Sequence, residues 1–93
     1  MIVYITATDK FFSSMIGKIS KLIYVCNNSE ELSHCEKMVY NRKDLKYIYL
    51  STVKPRYRKS WYHVSWRDYK GNIIKDNPEY VSDEIETHEP MKI

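Results

Sequence analysis

Apolar and polar positions alternate along residues 2–7, where Ile2, Val3 and Ile5 are interleaved with Tyr4 and Thr6, and this period of two predicts a strand. The period then changes. Phe11, Met15 and Ile19 recur at four-residue spacing after the capping residues Thr8 and Asp9, which predicts a helix over residues 10–21. Residues 22–26 are β-branched and aromatic enough to favour a short strand over a longer helix. Asn27, Asn28 and Ser29 make a break rich in capping side chains. A second helix is expected over residues 30–40, with acids in its first turn and Leu32, Cys35 and Val39 on one face.

After a polar turn at 41–44, residues 47–53 alternate as a strand, with Ile48, Leu50 and Thr52 on one face and Tyr47, Tyr49 and Ser51 on the other. Residues 60–69 are its expected antiparallel partner, with Tyr62, Val64 and Trp66 facing one way and Trp61, His63 and Arg67 the other. Lys70-Gly71-Asn72 is a tight-turn signal that returns the chain into Ile73-Ile74. Asn77-Pro78 is a cap followed by proline at the first helical position, which predicts a short helix over 79–86, and residues 87–93 read as a flexible tail.

Strand, helix, helix and meander in this order predict an α+β fold: one small domain over 1–93, with a mostly antiparallel sheet and helices on one face. Ninety-three residues support only a modest core, so self-association as a homodimer is an expectation. The apolar fraction is ordinary but aromatic, with nine Tyr, two Trp and two Phe, and a tyrosine ring can be buried while its hydroxyl stays wet. The longest apolar run is about five residues, against the ~20 of a membrane span, so no membrane partner is expected. The N-terminus carries no secretory pattern, and two cysteines are too few for a disulfide scaffold, so a reducing, cytoplasmic setting is expected.

The net charge of +3 conceals a strong asymmetry. Residues 1–41 hold four Lys against four acids, residues 42–70 nine Lys or Arg against Asp44 and Asp68, and residues 71–93 six acids against Lys75 and Lys92. A basic middle predicts an anionic partner, and the acidic end is a potential competitor for the same surface. Within 47–74 aromatic and basic side chains are interleaved, the composition that flexible nucleic acid requires: rings stack bases and cations pair with phosphates. The candidate binding residues are Lys54, Arg56, Arg58 and Lys59 for charge, Tyr49, Tyr57 and Trp61 to stack or anchor, and Arg67 beside them. The expected function is that of a non-enzymatic module whose basic-aromatic hairpin engages nucleic acid or the machinery that processes it. The alternative is an inhibitor that blocks a host enzyme or defence complex through protein-protein contacts.

Catalytic and metal chemistry find no constellation. Cys26, His34, Cys35, His63 and His88 do not have zinc-ligand spacing, a free cysteine on an apolar helix face is ordinarily a small buried hydrophobe, and two isolated glycines cannot form a phosphate loop. No catalytic residue, metal or cofactor is expected.

The stretch ITATDKFFSSMIGKI (residues 5–19), followed by Leu32-Ser33-His34 and Met38-Val39, resembles the opening of permuted papain-like cysteine hydrolases. The resemblance implies a strand over 35–40 and a catalytic role for His34, with a nucleophilic cysteine far downstream; no cysteine follows Cys35 here. In size, Lys/Tyr/Asn/Ile-rich composition and lack of a catalytic set, the chain also resembles small phage-encoded proteins that bind host enzymes or defence complexes. That resemblance implies an inhibitor.

Overall fold

The structure is a computed structural model that describes residues 1–10, 19–76 and 91–92. Strands β1 (Val3–Asp9), β2 (Ile19–Cys26), β3 (Leu45–Ser51), β4 (Trp61–Arg67), β5 (Ile73–Asp76) and β6 (Met91–Lys92), with helix α1 (Ser29–Tyr40), make a small α+β domain. The sheet runs β5-β4-β2-β1-β3-β6, and its pairings are antiparallel except β2 with β4.

Sheet register fixes which side chains share a face. On β1, Val3, Ile5 and Ala7 oppose Cys26, Tyr24 and Leu22 of β2, and Ile5 and Ala7 oppose Leu50 and Ile48 of β3. Helix α1 packs on this face through Cys35 and Val39, closing a core with Ile5, Ala7, Leu22, Tyr24, Cys26 and Leu45. Burying an aliphatic side chain of this size contributes roughly 1.5–3 kcal/mol. The helix starts where expected: Asn28 accepts from the Glu31 backbone N–H at 2.9 Å, and the Glu31 carboxylate accepts from the Asn27 N–H at 2.7 Å, a reciprocal cap.

The other face carries Tyr4, Thr6 and Thr8 of β1, Lys21, Ile23 and Val25 of β2, Tyr49 and Ser51 of β3, and Val64 and Trp66 of β4. Tyr4, Ile23, Trp61 and Val64 form its buried cluster, with Val25, Tyr57 and Trp66 against it.

Three expectations change, and a fourth lies outside the described residues. Strands β3 and β4 do not form a hairpin: they are parallel, with β1 and β2 between them. Of the helix expected over 10–21, residues 11–18 lie outside the described residues and 19–21 belong to β2; the pairing of Ser20 and Lys21 with β4 outweighs the four-residue apolar spacing. The helix expected over 79–86 also lies outside the described residues, so α1 is the one helix described. Finally, Trp61 joins Val64 in the cluster opposite α1, because the β2–β4 register shifts by one residue between Ile19 and Ser20 and turns Trp61 to that face.

Candidate functional site

The parallel relation of β3 and β4 determines what the basic segment is. Strand β3 ends at the level of Tyr4, and β4 begins at the level of Ile19, at the opposite end of the sheet. The connection over 52–60 must therefore cross three inter-strand spacings, about 14 Å, and about 20 Å along the strands, a diagonal of about 25 Å. Ten peptide steps reach at most about 35 Å, so the segment crosses with little slack. Tyr57 packs against the cluster of Tyr4, Ile23, Trp61 and Val64, which puts the crossing on the face opposite α1. It is a strap laid over the sheet.

Along the strap Pro55 is buried and Tyr57 half-buried, whereas Lys54, Arg56 and Lys59 are exposed and Arg58 is partly exposed. Tyr57 fastens the strap: its hydroxyl donates to the Trp61 carbonyl at 3.3 Å, and the two rings meet edge to face at 6.2 Å. Lys54 places its ammonium 5.7 Å from the Trp66 ring, and Lys21 places its own 5.8 Å from Trp61. Such contacts are worth about 0.5–1 kcal/mol at exposed sites and leave the cation charged.

The expected site residues divide accordingly. Lys54, Arg56, Tyr57, Arg58, Lys59 and Trp61 come together on the strap and the strand it enters. Trp61 is only 8% exposed, so its ring anchors the strap and offers no platform for stacking. Tyr49 shares this face of the sheet, half-buried on β3 opposite Thr6. Arg67 does not join them: it pairs with Tyr24 on the α1 face, and its Nη1 donates to the Gly71 carbonyl at 2.7 Å.

A second polar network ties α1 to β2 and β3. Arg42, just beyond the helix, donates from Nε to Asp44 Oδ1 at 3.0 Å, from Nη2 to the other carboxylate oxygen, and from Nη1 to the hydroxyl of the fully buried Tyr24. The Arg42 hydrogen bond holds the Asp44 carboxyl below its usual range, and burial raises the Tyr24 phenol. Sequence spacing did not point to this network, because its partner in β2 lies 18 residues before Arg42.

The residues considered for cysteine chemistry are differently placed. Cys26 and Cys35 are reduced and fully buried in the α1 core, and the Cys35 thiol is pushed up by its hydrogen bond with Cys26 and by burial. His34 is exposed on α1 with its ring 5.7 Å from Tyr69, and residues 35–40 are helical, against the strand implied by the hydrolase resemblance. Among the described residues no group of three His, Cys, Asp or Glu could hold a metal, and no helix is long and apolar enough to cross a membrane.

Comparison with known proteins returns no match to a family model, a curated protein or a solved structure.

Proposed function

We propose that the chain is a non-enzymatic binding module, acting in the cytoplasm, that engages nucleic acid through the strap over residues 52–60. The observation that carries this reading is the exposure of Lys54, Arg56 and Lys59 on a segment fastened to the sheet by the buried Pro55 and the half-buried Tyr57. A flexible loop would lose conformational entropy on gripping a phosphate backbone; a strap fixed at both ends and in the middle has already lost most of it. Alternation of exposed and buried residues at 54–57 sets the backbone positions of Lys54 and Arg56 about 6.6 Å apart, a spacing suited to following a phosphate chain.

The test is fluorescence anisotropy of labelled oligonucleotides across a salt series, with wild type and the double variant Arg56→Glu, Lys59→Glu. Log affinity should fall linearly with log salt, and the double variant should bind at least tenfold more weakly at low salt while keeping its circular dichroism spectrum. Unchanged affinity in the folded variant refutes the strap as the contact surface. If no oligonucleotide binds at low salt, the nucleic-acid reading fails and capture of a protein partner becomes the experiment to make.

A further inference from the structure

The sheet gathers a second set of cations that the sequence keeps apart. Strand β1 ends, and β2, β3 and β4 begin, at the same end of the sheet. This brings together Lys10 after β1, Lys21 near the start of β2, Lys43 and Lys46 at the start of β3, and Lys59 before β4. The backbone confirms the closest join, with the Lys10 N–H donating to the Asp44 carbonyl at 2.7 Å. Lys10, Lys43, Lys46 and Lys59 are exposed. Among the described residues the acids facing them are Asp9 and Asp44, and Asp44 is already engaged by Arg42. Of the three acids of α1, Glu30 and Glu31 occupy the first turn of the helix, at the other end of the sheet, and Glu36 lies further along it.

Two exposed rings flank the rim. Tyr47 on β3 is 45% exposed with the Lys46 ammonium 5.2 Å from its centroid, and Tyr62 on β4 is 53% exposed. A tyrosine can stack only on a base that is not already stacked in a duplex, and among the described residues the rim offers no projecting helix or ribbon to enter a major groove.

We infer that this basic rim, continuous with the strap at Lys59, binds single-stranded nucleic acid, with phosphates on Lys43, Lys46 and Lys59 and a base on Tyr47. The inference rests on the nucleic-acid reading of the strap and names the form of nucleic acid bound. The strand would leave the strap at Lys59 and run about three strand spacings, about 14 Å, along the end of the sheet to Tyr47.

The experiment compares a labelled homopyrimidine single strand with a blunt duplex, using wild type, Arg56→Glu, Lys43→Glu with Lys46→Glu, and Tyr47→Ala. Wild type should prefer the single strand by at least tenfold. The rim double variant should weaken single-strand binding by at least tenfold and lower the salt slope by about 1.4, the value for two lost phosphate contacts. Tyr47→Ala should weaken binding about fivefold, the lower end of one stacked base, with the salt slope unchanged. Binding that depends on Arg56 but not on Lys43, Lys46 or Tyr47 overturns the rim and leaves the strap standing, as does equal affinity for the duplex. No binding to either oligonucleotide overturns both. Circular dichroism of each variant separates loss of contact from loss of fold.

Discussion

The hydroxyl of Tyr57 donates to the backbone carbonyl of Trp61 at 3.3 Å while the two rings meet edge to face at 6.2 Å, so one side chain fastens the strap to the strand it enters. Without that fastening, residues 52–60 would keep their charge but not their course over the sheet. Tyr57→Phe removes one hydrogen bond and should lower stability by about 1 kcal/mol. Tyr57→Ala also removes a half-buried ring from the cluster of Tyr4, Ile23, Trp61 and Val64 and should lose roughly 2–3 kcal/mol. Urea denaturation measures both. The strap reading adds that Tyr57→Ala weakens oligonucleotide binding although no charge is lost, and equal affinity in Tyr57→Ala and wild type would show that strap order is irrelevant to binding.

The Arg42–Asp44–Tyr24 network gives stability a defined pH dependence. Asp44 has a folded pKa below its ordinary 3.8, so its contribution is present above that value and is lost as pH falls through the lower, folded one. Tyr24 has a folded pKa above 10.0, so its contribution is complete below 10.0 and is lost as pH rises toward the folded value. Asp44→Asn should flatten the acid side of a Tm–pH profile and leave the alkaline side alone, whereas Tyr24→Phe should flatten the alkaline side. Arg42→Ala removes the donor to a fully buried phenol and should destabilise the domain by about 1–3 kcal/mol at neutral pH. A profile unchanged in Asp44→Asn would remove the network from the account of acid stability.

Gly71 holds φ at +90° in the turn between β4 and β5, where Asp68 accepts from the backbone N–H groups of Lys70 and Asn72. A Cβ there would meet Met38 Sδ at 3.5 Å, an ordinary contact, so substitution acts through the backbone and not through a clash. Gly71→Ala should lower the unfolding free energy by about 1–2 kcal/mol, and Gly71→Asn by less, because Asn tolerates positive φ better. Equal urea midpoints for Gly71→Ala and wild type would show that the turn relaxes to negative φ.

Individual elements were legible in the sequence where local chemistry decides them. Asn28 and the first-turn acids marked the start of α1, alternation marked β1 and β3, and Gly71 marked the turn into β5. The pairing of strands was not legible, because alternation assigns a face and not a neighbour. Reading β3 and β4 as a hairpin followed from their order alone, yet one signal argued against it: residues 52–60, TVKPRYRKS, contain no Gly, Asn or Asp to make a tight turn. The same gap hid the rim, since Lys10, Lys21, Lys43 and Lys59 meet only once β1, β2, β3 and β4 are aligned. Tyr49 and Arg67 illustrate the cost of that error. Grouped by sequence, they lie on opposite faces of the sheet.

Strand β5 closes one side of the sheet with all four residues exposed, Ile73 at 52% and Ile74 at 57%, and among the described residues it pairs only with β4. An edge with unpaired backbone groups and apolar side chains is a template for another strand, and here Lys75 and Asp76 are the only charges on it. The contact between His63 Nε2 and Asp76 Oδ1, at 2.6 Å, ties Asp76 to β4, and Lys75 is the one cation on the strand to oppose pairing with a second copy. The chain should therefore associate with itself through β5 as concentration rises. Sedimentation velocity over a concentration series measures this, and Ile74→Lys should return the protein to a monomer while changing stability by no more than about 0.5 kcal/mol, as expected for an exposed position. Oligonucleotide affinity should be the same in Ile74→Lys and wild type, because β5 lies at the sheet edge on the far side of β4 from the strap. A wild-type protein that remains monomeric throughout the series would show that one lysine is sufficient to protect the edge.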